Sequence, residues 1–327
     1  MKFTLPELRK AAALVYEHMH NKTPQIAWPQ LAQLTGAHSV IVKHENHTPT
    51  GSFKLRGAVT FMDWVSRTYP NAPGICTATR GNHGQGLART ATARGLLTKI
   101  FVPYGNSVEK NAAMRGFGAT VTEFGEDYDT AKEESIRVAE KEGLVLVPPF
   151  HKELVRGVST YALELFSEHP DLDTVYVPIG GGSGICGTII ARDLLGLSTS
   201  IVAVVSDQAP CSRLSFEAGR PVPSYGAPLT IADGMAVRVP IAEAFEVYRH
   251  GVERFVTVSD TEVADSMRVY FRCTHNVAEG AGAAPLAALL QEKDLMKDRK
   301  VGVILCGGNV DTEWFREVLS GRMPHLS

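Results

Sequence analysis

No hydrophobic run in the chain approaches the ~18 residues of a membrane span. The N-terminus has no basic segment leading into an apolar stretch of signal-peptide length. Ala11 to Val15 is too short, and the charged Glu17 follows. Cysteine is scarce: Cys76, Cys186, Cys211, Cys273 and Cys306 are odd in number and show no CxxC spacing. A disulfide framework or a zinc site is therefore not expected, and a reducing cytoplasm is the default compartment. Neither sign of charge prevails, with 33 Lys plus Arg against 35 Asp plus Glu. That balance removes any bulk electrostatic argument for nucleic acid or an anionic membrane, and the expected partner is a small molecule. Low-complexity segments and repeats of fixed period do not occur either.

What is present is an ordinary globular composition, 44% hydrophobic and 21% charged over 327 residues, enough for one large or two modest domains. Residues 4–16 read as a short amphipathic helix, with Leu8, Ala12 and Val15 at helical spacing after Pro6. Ser39 to His44 is a β-branched strand candidate, and a helix is expected from about Arg56 to Arg67. The pattern then alternates. Strands are expected at Ile75–Ala78, Ile100–Pro103, Thr120–Thr122 and Leu144–Val147, with helices at about Leu87–Arg94, up to Met114, and Asp129–Glu142. Further strand runs are Thr174–Ile179, Ile201–Val205 and Val301–Leu305. Strands alternating with helices of 10–15 residues predict an α/β fold of parallel-type sheets covered by helices. Two domains are expected, a large one from 1–49 plus 151–327 and a smaller one inserted at 50–150. Little chain follows Asn309, so no appended regulatory domain is expected.

Four short stretches carry chemistry. In Thr50-Gly51-Ser52-Phe53-Lys54-Leu55-Arg56-Gly57-Ala58, small residues let the backbone approach a ligand beside a single lysine. A lysine partly buried there loses solvation, so its pKa falls and its amine becomes a usable nucleophile, as a Schiff-base lysine requires. The plainer reading is a loop before a helix whose first basic residue is solvated. Gly180-Gly181-Gly182-Ser183-Gly184 follows a strand and precedes an apolar helix. Backbone N–H groups there form an anion nest, and a Cβ would block close approach. Alone, such a loop is a dinucleotide loop, a phosphate nest or a turn. Thr79-Arg80-Gly81-Asn82-His83-Gly84-Gln85-Gly86 lies at a strand-to-helix turn, where Asn82 offers an amide donor and His83 a helix cap. Cys306-Gly307-Gly308-Asn309 ends a strand, and a buried Cys is commonly plain core.

Those four motifs, in this order, resemble the fold-type II (tryptophan synthase β-like) pyridoxal 5'-phosphate enzymes, within them the threonine/serine dehydratase and serine racemase branch. The resemblance runs from about Lys43 to Asn309. It implies that Lys54 carries the cofactor, with Phe53 close to its ring, and that Gly180, Gly181, Gly182, Ser183 and Gly184 hold its phosphate. Ser183 takes the place of a fourth glycine. Asn82 would donate to the ring oxygen, while the amides of Thr79, Arg80, Gly81, Asn82 and His83, with the Thr79 hydroxyl, bind the substrate carboxylate. Cys306 would lie beside the pyridine nitrogen, where a thiol leaves the ring a weaker electron sink than a carboxylate would. Glu279, which by itself reads as a surface residue, matches an acid near the cofactor face. A homodimer is also implied.

The implied reaction is β-elimination from an L-β-hydroxy-α-amino acid. Freed Lys54 removes the α-proton, the β-hydroxyl leaves, and hydrolysis yields a 2-keto acid and ammonia. Two departures matter. Arg80 stands where racemase relatives carry a Ser that acts as a second base, and guanidinium cannot be deprotonated. Arg80 can instead hold a carboxylate, stack on an aromatic ring or offset cofactor charge, or it can be a solvated surface residue. Racemase relatives also bind a divalent cation through two acids. Asp207 fits the first, but Arg213 occupies the second, so no metal is expected. The substrate is expected to be threonine or serine, or a bulkier or more polar relative such as phenylserine or 3-hydroxyaspartate. Competing readings are a β-replacement synthase, a serine racemase-like enzyme, and a catalytically idle cofactor-binding or sensing protein.

Overall fold

The computed structural model describes residues 1–226 and 229–325. Its strands are β1 (Gln25–Ala27), β2 (Ser39–His44), β3 (Gly74–Ala78), β4 (Leu97–Val102), β5 (Thr120–Glu123), β6 (Val145–Leu146), β7 (Thr174–Pro178), β8 (Ser200–Ser206), β9 (Arg254–Val258) and β10 (Lys300–Leu305). They form a six-stranded sheet of order β1-β2-β10-β7-β8-β9 and a four-stranded sheet of order β5-β4-β3-β6. All pairings are parallel except β1 with β2. Strands covered on both faces need continuous apolar runs, and Val40-Ile41-Val42 and Ile201 to Val205 supply them.

The smaller sheet shows the two-residue period directly. Ile75 packs with Phe61, Leu87 and Ala91 on one face. Cys76 and Ala78 pack with Ala131, Val138 and Ala139 on the other. The strand expected at Ser39–His44 recurs with the same ends and the others with ends moved by at most three residues, but β1 and β9 have no counterpart among them. The helix expected from Leu87 begins at Asn82. Gly81, with φ of 155°, lets the chain turn from β3 straight into it. The glycines that suggest a loop are packing residues instead: a Cβ at Gly84 would lie 2.4 Å from Met114 Sδ.

The helix Lys54–Thr68 joins the two sheets' layers, and it crosses the helix Lys152–Glu168 at glycine on both sides. A Cβ at Gly57 would meet the Leu154 carbonyl at 2.8 Å, and one at Gly157 the Arg56 carbonyl at 2.1 Å. That approach places Arg56, fully buried, between two carboxylates. Its Nε donates to Glu45 Oε2 at 2.7 Å and its Nη1 to Glu164 Oε1 at 2.6 Å, with Thr160 Oγ1 accepting at 3.0 Å. Lys43 shares Glu164, so two cations and two anions close the network. Burial alone would raise the Glu164 carboxyl, but Arg56 and Lys43 win and hold it below the usual range.

The cleft between the layers is bridged by polar contacts. Lys110 pairs with Asp233, Ser107 with Asp311 and Arg238 with Asp129, and the Thr312 amide donates to Glu109 at 2.8 Å.

Arg56→Ala leaves Glu45 and Glu164 buried without their shared cation. We expect it to lower the free energy of unfolding by about 3–5 kcal/mol in urea titrations. A loss below about 1 kcal/mol would place the network among dispensable surface pairs.

Candidate active site

The segment before Lys54 is pinned on two sides. Gly51, with φ of 69°, donates to the Thr48 carbonyl at 2.9 Å, and the Thr48 hydroxyl donates to the Ser52 carbonyl at 2.8 Å. From the far end of the chain, Cys306 accepts from the Phe53 amide at 3.0 Å and the Gly308 amide donates to Gly51 at 2.9 Å. The sequence motifs around Lys54 and Cys306 are thus one piece of structure. Lys54 starts its helix half-buried, its Nζ 3.3 Å from Ser183 Oγ and 4.6 Å from the centre of the Phe53 ring. Burial pushes the amine below the ordinary lysine range, and Cys306 and Glu279 only partly oppose it. Cys306 is buried, and burial together with the Glu279 charge holds its thiol protonated.

Ser183 belongs to the glycine loop, which runs from β7 into the helix Ser183–Leu194. Gly180 is demanded by packing, since a Cβ there would lie 2.2 Å from the Gly234 carbonyl. Gly182 has φ of 93°. Gly181 and Gly184 differ: an added Cβ would meet nothing closer than 3.5 Å. Packing does not force glycine there, and both positions lie at the amide-rich start of a helix, as a bound phosphate needs.

A second cluster surrounds Asn82. Its Nδ2 donates to Glu279 Oε1 at 2.7 Å, and its Oδ1 accepts from Asn309 Nδ2 at 2.8 Å. Glu279 is buried, not superficial as its sequence context suggests, and its Oε2 has no hydrogen-bond partner among the described residues. Burial pushes its carboxyl up to about 7, with Asp233 adding to the shift and Lys110 and Asn82 opposing it. Lys110 Nζ lies 2.5 Å from Asp233 and 4.0 Å from Glu279. Burial disfavours the Lys110 ammonium, but those two acids outweigh it and raise the amine. Neither Lys110 nor Asp233 carries a signal in the sequence, and Asn309 is visible there only as the end of a motif.

Arg80, Lys110, Asp233, Glu279, Asn309 and Trp314 line a cavity of about 250 Å³. Thr79 is buried, and its hydroxyl accepts from the Gly81 amide at 3.0 Å. Arg80 is exposed and makes no ion pair among the described residues. His83 does not cap the helix: Gly81 does, and His83 sits within the first turn. Its Nε2 is buried without a partner among the described residues, and burial pushes it down to about 3, so the ring is neutral. Arg213 pairs with Glu217 on its own helix at 3.5 Å, and no group of three potential metal ligands occurs among the described residues.

Comparison with known proteins decides the family. The model of the pyridoxal-phosphate dependent enzymes matches residues 16–307. The chain belongs to this family. L-threonine ammonia-lyase of Thermotoga maritima is 33% identical over 318 residues, 97% of this chain and 78% of the relative. L-threo-3-hydroxyaspartate ammonia-lyase of a Pseudomonas species is 33% identical over 311 residues, covering 95% and 97%. The crystal structure of a pyridoxal 5'-phosphate-dependent aspartate racemase superposes with a TM-score of 0.90 at 26% identity, over 96% and 98% of the two chains.

A pyridoxal-phosphate enzyme needs an uncharged lysine, a phosphate nest and polar groups for the ring. The depressed Lys54 amine, the glycine turn that opens the helix Ser183–Leu194, and the orphaned Glu279 oxygen fit those needs. A small amine-reactive acylating reagent is expected to modify Lys54 faster than the exposed Lys293 at pH 7, as read by peptide mapping of cofactor-free protein. Lys54 reacting no faster than Lys293 at pH 7 would contradict the depressed amine.

Proposed function

We propose that this enzyme dehydrates an L-β-hydroxy-α-amino acid of the threonine/serine type, or a bulkier one such as phenylserine, to a 2-keto acid and ammonia. The observation that carries the reading is the contact of Lys54 with Ser183. It joins an amine of lowered pKa to the glycine loop, in a chain aligned nearly end to end with ammonia-lyases. Pyridoxal phosphate, when bound, supplies the electron sink that lets the Cα–H bond break.

The chain's own residues take the remaining tasks. Lys54 holds the cofactor and, once released, accepts the Cα proton. Gly180 to Gly184 bind the phosphate through backbone amides and the Ser183 hydroxyl. Asn82 orients the ring, with Phe53 beside it. Thr79 to His83 hold the substrate carboxylate with their amides, as an anion nest does. Cys306, a protonated thiol, does not charge a pyridine nitrogen as a carboxylate would, and this favours elimination over routes that need a longer-lived carbanion. Loss of the β-hydroxyl as water leaves an unsaturated amine, whose reaction with water gives the keto acid and ammonia. A guanidinium offers no acceptor for a substrate proton, so Arg80 serves specificity, not racemisation.

We further assign residues 1–49 plus 151–327 to a cofactor-binding domain and 50–150 to a substrate-loop domain, in a cytoplasmic homodimer. Size-exclusion chromatography with light scattering tests the last point, and a monomeric mass would remove it.

Lys54→Ala is expected to lower keto-acid release from L-threonine and L-threo-phenylserine by about 10³-fold or more. Retained turnover would end the scheme. Arg80→Ala is expected to change kcat/KM by different factors for these two substrates, and equal losses would remove Arg80 from specificity.

A further inference from the structure

The Asn82 side chain is held in one orientation from two sides. Asn309 Nδ2 reaches its carbonyl oxygen at 2.8 Å and is itself tied to the Thr50 carbonyl at 2.8 Å. Glu279 Oε1 takes one of its two amide hydrogens at 2.7 Å, and the other has no acceptor among the described residues. Both holding residues stand where glycine makes room. A Cβ at Gly51 would lie 2.3 Å from Asn309 Oδ1, and a Cβ at Gly307 would lie 2.3 Å from Glu279 Oε1. The Glu279 amide donates to the Gly307 carbonyl at 3.1 Å, so the acid's backbone is fixed to the strand end that carries Cys306. Asn82 comes from the four-stranded layer, following β3, whereas Asn309 follows β10 and Glu279 precedes the helix Gly280–Gln291 packed on the six-stranded layer.

We infer that Glu279 and Asn309 are positioning residues that clamp the Asn82 amide, aiming its free N–H at the cofactor ring only when the two layers are together. The inference rests on the assignment of Asn82 to the cofactor. A free asparagine amide turns about its last torsion and presents oxygen as readily as nitrogen. With acceptor and donor partners on fixed backbone, only one face of the amide is available. Loss of either partner therefore changes how the ring is held without touching Lys54 or the glycine loop.

The test compares variants of the cofactor-loaded full chain by the visible absorbance maximum of the bound cofactor, its dissociation constant, and kcat against KM. Asn82→Ala sets the reference displacement of the band. Glu279→Ala and Asn309→Ala are expected to move the band in the same direction and to lower kcat by about 10–100-fold, as loss of outer-shell partners does elsewhere. Glu279→Gln keeps an acceptor oxygen and is expected to restore most of the wild-type band. The Asn82→Ala/Glu279→Ala double variant should move the band no further than Asn82→Ala alone. If Glu279→Ala does not fold, Glu279→Asp withdraws the carboxylate by one methylene and is expected to give the same displacement. A band moved by Asn82→Ala but left in place by the Glu279 and Asn309 variants overturns the clamp alone. A band unmoved by Asn82→Ala overturns the assignment of Asn82, and the clamp with it.

Discussion

The fork that Arg56 makes with Glu45 and Glu164 governs the geometry of everything near Lys54. A guanidinium out of water is tolerable only when its donors are met, and here Glu45, Glu164, Thr160 and Thr23 meet them. Those partners come from the turn after β2, from the helix Lys152–Glu168 and from the segment before β1. The first turn of the lysine helix is thereby fixed to three separate parts of the chain. The cost of moving Arg56 is the cost of breaking all these bonds at once. Lys54, two residues earlier, inherits that rigidity.

Two lysines border the same cleft and are driven in opposite directions by what faces them. Lys110 has Asp233 at 2.5 Å and keeps its proton despite burial. Lys54 has a hydroxyl, an aromatic face and a protonated thiol nearby, and burial wins. Among the described residues no carboxylate is in direct contact with Lys54, so nothing restores its amine to the ordinary lysine range. Glu279 stands near enough to bias both amines, but its own charge is half suppressed near neutrality.

Much of this was legible in the chain because the information is local. The alternating apolar runs marked nearly every strand, and the stretches around Lys54, Asn82, Gly180 and Cys306 named the elements that meet at the site. What stayed hidden depends on tertiary neighbours. Gly84 looks like a loop residue until Met114 and Thr79 are seen to need its space. Glu279 looks solvent-exposed in a run of Ala and Gly, yet it is buried against Asn82. Lys110 sits in a helix with an ordinary mixed pattern, and nothing local discloses Asp233, more than a hundred residues away. β1 is three residues between prolines and exists only because β2 offers an edge.

The bridges across the cleft, Lys110 to Asp233, Ser107 to Asp311 and Arg238 to Asp129, are polar, and most of their members retain contact with solvent. A joint of this kind behaves unlike an apolar one. Parting the exposed Arg238–Asp129 pair hands charges back to water at small net cost, whereas the buried Lys110 would lose the partner that keeps it charged. Screening by salt therefore weakens the exposed Arg238–Asp129 pair first and leaves the buried Arg56 network beside the lysine helix almost untouched.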